Sequence, residues 1–249
     1  MRAVPGICVL LAVAAAAPAA ILTYDSNQIN EGGTAASMPV ASNDAGITVS
    51  DMTRGSGLGA SGGHSLDAFG AHFNGDDTHT LTEAVNDNCH FTWTVTPDSG
   101  YTVDYSSVDF WHFLPERVTG GVVWSSTILS FFSSATGFAE GDMIDQIDID
   151  VQPTDGSTHG PLTFDLSGVA ALQGVSTAVE FRIYIHDKYA QEEQGVPSRP
   201  NFWENRGIGT DDDMAGAAEA LTMSGNVVPE PATLALLGLG AVGLLRRKR

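Results

Sequence analysis

The sequence predicts an all-β protein, a single antiparallel β-sandwich of jelly-roll type, and three observations carry that prediction. Apolar and polar residues alternate with period two in one segment after another. Twenty-eight glycines and 11 prolines supply the turns between those segments. No linker or fixed-period repeat divides the central ~200 residues, so they are expected to close over one core.

Along the chain, residues 54–65 are rich in glycine and serine and read as a flexible loop. In His90-Phe91-Thr92-Trp93-Thr94-Val95-Thr96, the apolar Phe91, Trp93 and Val95 share one face and the threonines share the other. Residues 101–113 and 122–132 are longer aromatic-rich runs, expected to be strands buried on both faces or bent by a bulge. Ile147, Ile149 and Val151 alternate with Asp148 and Asp150, and Leu162, Phe164 and Leu166 form another such set. Only residues 166–174 have helical character. Val179, Phe181, Ile183 and Ile185 then oppose Glu180, Arg182, Tyr184 and His186, and Leu221-Thr222-Met223 reads as a closing strand.

Both ends carry processing signals. Met1 and Arg2 give a small cationic start, residues 7–17 an apolar core, and Ala17-Pro18-Ala19 a small-x-small site. Residues 1–19 are therefore read as a secretory signal peptide cut after Ala19, and residues 20–227 as the ectodomain. Residues 228–249 hold three signals in contact: Val228-Pro229-Glu230-Pro231, an apolar run over 232–245, and Arg246-Arg247-Lys248-Arg249. The proline pair is expected to break any preceding strand. The run enters hydrocarbon while the four cations stay at the cytoplasmic face. As a helix its 14 residues reach roughly 21 Å, against about 30 Å of hydrocarbon. So short a transmembrane helix suits a transient sorting handle better than a lasting anchor.

Those three parts, in that order, resemble the PEP-CTERM sorting signal of exopolysaccharide-producing Gram-negative bacteria. The resemblance implies a precursor delivered by the secretion translocon and held in the inner membrane. There an exosortase recognises and cleaves the tail, and the product moves to the cell surface or extracellular matrix. Residues 164–187 bear a fainter similarity to ectodomains that accompany this tail in planctomycete-like bacteria.

Charge and cysteine use narrow the partners. Of 11 lysines and arginines, Arg2, Arg246, Arg247, Lys248 and Arg249 lie in the terminal segments, which leaves six in the body against nearly all of the 30 acidic residues. A body near roughly −23 repels nucleic acid and favours solubility or divalent cations. With Cys8 in the signal peptide, Cys89 is the mature chain's one thiol, and an internal disulfide is excluded.

Catalytic motifs fail on context. Gly59-Ala60-Ser61-Gly62-Gly63 fits a nucleophile elbow but lacks the strand-to-helix turn that would expose the serine, and the overlapping Gly55-Ser56-Gly57 stretch lacks a βαβ unit. His72, Asp76, Asp77 and His79 read as a solvated hairpin tip rather than a zinc site. Calcium is the preferred cofactor expectation, with oxygen ligands available at Asp76 and Asp77, in Asn86-Asp87-Asn88, at Asp145, Asp148 and Asp150, and in Asp211-Asp212-Asp213. The segment 186–213 is expected to be a long loop in which Tyr189, Phe202 and Trp203 lie among Arg199 and Arg206. Aromatic faces and guanidinium groups of this kind suit sugar rings and hydroxyls, so this is the candidate glycan-binding loop, the alternative being that its aromatics fold back onto the sandwich edge as local anchors. A non-catalytic surface or matrix role associated with exopolysaccharide is expected first. A carbohydrate-binding module or a secreted polysaccharide hydrolase are the alternatives.

Overall fold

Alternating sequence becomes strand throughout the chain, and the computed structural model describes residues 18–25, 35–60, 68–73, 80–113, 118–119, 122–123, 126–150, 158–186, 206–209 and 221–230. In chain order the first strands are β1 (Ala19–Tyr24), β2 (Ser37–Met38), β3 (Val40–Asn43), β4 (Ile47–Val49), β5 (Met52–Arg54), β6 (Leu58–Ala60) and β7 (Ala68–Phe73). Helix α1 (Leu81–Asp87) follows, then β8 (His90–Pro97), β9 (Tyr101–Phe113), β10 (Val118–Thr119), β11 (Val122–Val123) and β12 (Ser126–Ser133). The series ends with β13 (Asp145–Asp150), β14 (Thr158–Asp165), β15 (Val179–His186), β16 (Arg206–Gly209) and β17 (Leu221–Pro229).

Two antiparallel sheets hold nearly all of these strands. The larger runs β3-β1-β17-β9, with β14 on the far edge of β9, while β16, β7 and β6 continue from the C-terminal end of β9. The smaller runs β13-β12-β15-β8, and β8 then pairs with β4 and with β5, which carries β2. Aromatic rings from the two sheets meet between the layers. Tyr24 lies 6.3 Å from Trp93, Tyr105 lies 5.0 Å from Phe181, and Phe131 lies 4.9 Å from Phe164. All six rings are 1 % exposed or less, so the layers pack face to face over an aromatic core.

The inward set of β8 is Phe91, Trp93 and Val95, as its alternation predicts. On β9 the buried positions shift phase from Val103 and Tyr105 to Val108 and Phe110. That is the expected bulge, and it matches the register break between Ser224 and Gly225 on the partner strand.

Three local expectations change. The run 122–132 divides into β11 and β12. Residues 54–60 are not a loose loop: Gly55 and Gly57 join two short strands because any Cβ there would strike the Asn88 and Asp87 carbonyl oxygens. The described helix is α1 rather than residues 166–174, which supply only the 3-10 turn Ala170–Leu172. Helix α1 is framed by a capping box, in which Glu83 N–H donates to Thr80 Oγ1 and Thr80 N–H donates to Glu83 Oε2, and it ends on Asn88 in the left-handed region at φ 59.

Helix α1 packs on β15, a central strand whose inner face is already filled by the other sheet, so the helix lies on the outer face. Its Leu81 and Ala84 are buried there. On that face the outward positions Phe132, Tyr184, His90 and His186 are also buried. Both faces of β15 are therefore buried at Tyr184 and His186, although these two residues alternate with the apolar set as expected.

Candidate sorting site

The functional segment named by the sequence begins inside the last strand. β17 lies between β1 and β9, and over residues 221–225 it pairs with both. The β1 register starts at Ala19 opposite Gly225. Beyond that point, among the described residues, β17 pairs only with β9, through Asn226 with Asp104, Val227 with Val103, Val228 with Thr102 and Pro229 with Tyr101.

The strand ends at the expected proline pair but takes in Pro229 as its last residue, and the register explains how it can. Glu230 N–H donates to the Gly100 carbonyl at 2.8 Å, so by alternation the nitrogen of Pro229 faces away from β9. Its missing N–H therefore costs no ladder bond, which is the circumstance in which a strand tolerates proline. Thr102 Oγ1 donates to the Val228 carbonyl at 3.4 Å. Val228 itself is 41 % exposed, whereas Leu221 and Met223 on the same strand are fully buried. Half of the strand is thus core and half is a one-sided terminus, and Val228, Pro229 and Glu230 stand on the terminus.

The predicted signal-peptide cut falls after the first residue of β1. Ala19 faces Gly225, four residues before Pro229, a separation of roughly 13 Å along the strand. The points where the two predicted membrane-directed segments join the body therefore lie at one end of the large sheet. Pro231, the apolar run and the basic end at Arg246, Arg247, Lys248 and Arg249 lie outside the described residues. Among those described, no helix is long and apolar enough to cross a membrane.

The other candidate sites fare differently. Arg206 opens β16 opposite Ala71, a strand where a loop was expected. Tyr189, Arg199, Phe202 and Trp203 lie outside the described residues, as do Asp76, Asp77, His79 and residues 211–213. His72 falls in β7. Among the described residues no group of three or more His, Cys, Asp or Glu side chains is placed to hold a metal ion.

One polar cluster was missed because it forms between strands far apart in sequence. Gln146 Nε2 donates to Ser130 Oγ at 3.0 Å, and Ser130 Oγ lies 3.4 Å from His186 Nε2. The His90 ring sits 4.9 Å from that of Tyr184. Burial, reinforced by the Arg182 charge and opposed by Glu180, pulls His90 down to about 4. With Ser130 fully buried, this serine and histidine have no access to a substrate, and the cluster reads as structural. Arg182 closes the rim, bonded to Glu180 at 2.7 Å and stacked 3.8 Å from the centre of the Phe138 ring.

The sequence also gave no sign that residues 100–102 form the partner of the motif, because a register between segments 126 residues apart leaves no local pattern.

Residues 227–249 match the family model described as the PEP-CTERM protein-sorting motif. No curated protein and no solved structure matches the chain. The strand that completes the large sheet thus runs directly into a PEP-CTERM sorting signal, the mark of a protein exported and processed through a membrane-associated exosortase.

Proposed function

We propose that this chain is a non-catalytic cell-surface or extracellular-matrix protein, whose acidic sandwich is delivered by its sorting tail and associates with exopolysaccharide. The observation that carries the reading is the direct passage of β17 into the matched motif. Placing both junctions at one end of the large sheet supports it, because signal peptide and tail can then occupy one membrane with the body on its outer side. The excess of carboxylates keeps such a body soluble and favours divalent cations in the matrix.

We also read the ectodomain as a jelly roll. With β1, β8, β9, β12, β13, β14, β15 and β17 counted as one to eight, the large sheet runs 1-8-3-6 and the small sheet 2-7-4-5. This order interleaves two Greek keys, and it makes the last strand the neighbour of the first.

The test is the intact mass of the protein recovered from the native cell surface. The expected species begins at Ala20 and ends near Pro231, with Arg246, Arg247, Lys248 and Arg249 absent. Retention of the basic end in the membrane fraction means a plain anchor, and a soluble full-length precursor in the cytosol defeats the export reading altogether.

A further inference from the structure

The sorting motif is not presented on a free linker. Val228 and Pro229 are rungs of the large sheet, and Glu230 donates to Gly100. We propose that residues 100–102, at the start of β9, are positioning residues of the sorting site: they hold residues 228–230 docked, and the tail is removed only from the state in which those rungs have opened. This rests on the sorting reading above and adds a conformational step to it.

Three features define that step. A processing enzyme must surround the backbone at the bond it cuts, and the docked motif has the N–H and C=O groups of Val228 and Glu230 turned into β9. The opening must also come from the β17 side, because the start of β9 is fixed independently. Val103 and Val175 exchange backbone bonds at 2.9 and 3.0 Å on the opposite edge of β9. Tyr101 N–H donates to the Asp98 carbonyl at 3.0 Å, and Asp98 N–H donates to that of Gly46 at 2.8 Å. The Tyr101 ring lies against Gly46, where φ is +91 and any Cβ would come within 2.6 Å of the ring.

The last feature is the limit of fraying. Among the described residues, 226–230 are held by one neighbour strand and include the exposed Val228, while 221–225 are held by two and carry the buried Leu221 and Met223. The terminus can therefore open back to Gly225 and leave the core closed, as one-sided strand ends do. The same fold that leaves the motif next to the membrane junction then sets how often it is available.

Pulse-chase measurement of tail loss in the native host tests this on the full-length chain. Thr102→Cys with Val228→Cys places thiols on a directly opposed pair, a spacing that a disulfide spans. Val228→Cys alone controls for the change in the motif. The oxidised double variant is expected to lose its tail about tenfold more slowly than the single variant, with the rate restored by a membrane-permeant reductant, since cleavage follows the open population. A Gly-Ser-Gly insertion between Val227 and Val228 frees the motif without touching residues 221–227, and is expected to raise the rate about threefold. Equal rates for the oxidised and reduced double variant, or no gain from the insertion, overturn the inference while leaving sorting intact. Retention of the basic end in every variant, the parent chain included, overturns both.

Discussion

On the outer face of the large sheet, one rung crosses five strands as Ser42, Thr23, Thr222, Asp109 and Thr163. On the outer face of the small sheet, a comparable rung reads Gln146, Ser130, Tyr184 and His90. Both follow from period-two alternation, and both are outward. The first stays a polar ladder in which Thr23 and Ser42 share a hydrogen bond of 2.7 Å and Thr163 donates to Asp109 at 2.6 Å. The second is covered, with α1 lying on β15 and Gly55 close against the His90 ring, and Tyr184, Ser130 and His90 are buried while Phe132 lies 5.2 Å from the Tyr184 ring. Alternation decides which way a side chain points, and only the rest of the chain decides whether that side meets water.

The sharpest break in this comparison is Phe132→Ala. Phe132 is fully buried on the outward face of its strand, against the Tyr184 ring, and removing a buried aromatic ring costs about 4 kcal/mol. Urea unfolding is expected to show that loss with little change in slope. A cost under ~1 kcal/mol would mean that α1 shields the face without a packed layer beneath it.

Acid separates the two faces next. His90 is held neutral at about 4, below its ordinary 6.5, chiefly by burial and then by Arg182 against the opposing pull of Glu180. The unfolded chain therefore binds a proton first as pH falls. His90 leaves stability intact above pH 6.5 and takes it away between 6.5 and about 4, by up to roughly 3 kcal/mol. Subtracting the pH profile of His90→Gln from that of the parent isolates this slope from the carboxylates, whose protonation relieves the repulsion of an acidic body and acts in the opposite sense. Parallel profiles over that window would show that His90 is hydrated in the folded protein.

Much of the architecture was readable because it is local. The inward triplet of β8, the four apolar residues of β15 and the bulge of β9 all register as spacing along one segment. The capping box Thr80-Leu81-Thr82-Glu83 is equally local, but a seven-residue helix has too little apolar period to stand out. The burial of Tyr184 and His186 was not local, because α1 lies about a hundred residues earlier in the chain. Pro229 shows the same limit at the sorting site. Its identity argued for a break, and only the register with Tyr101 reveals that its nitrogen faces away from β9.

Two exposed threonines finish the contrast. Thr80 Oγ1 accepts from Glu83 N–H at 3.2 Å and caps the helix that covers one face, while Thr163 Oγ1 donates to Asp109 on the other. Among the described residues each side chain makes one hydrogen bond near solvent, so counting side-chain bonds would rank them together. Thr80→Ala, however, leaves helix N–H groups without a partner and loosens the cover over β15. It is expected to cost about 1 kcal/mol and to speed amide exchange throughout α1. Thr163→Ala leaves Asp109 with Ser107 as a donor at 2.8 Å and water for the rest, so its cost should stay below ~0.5 kcal/mol with exchange unchanged. Equal losses for the two would mean that the cap contributes only its own bond, and that the layer over the small sheet is held by Leu81 and Ala84 instead.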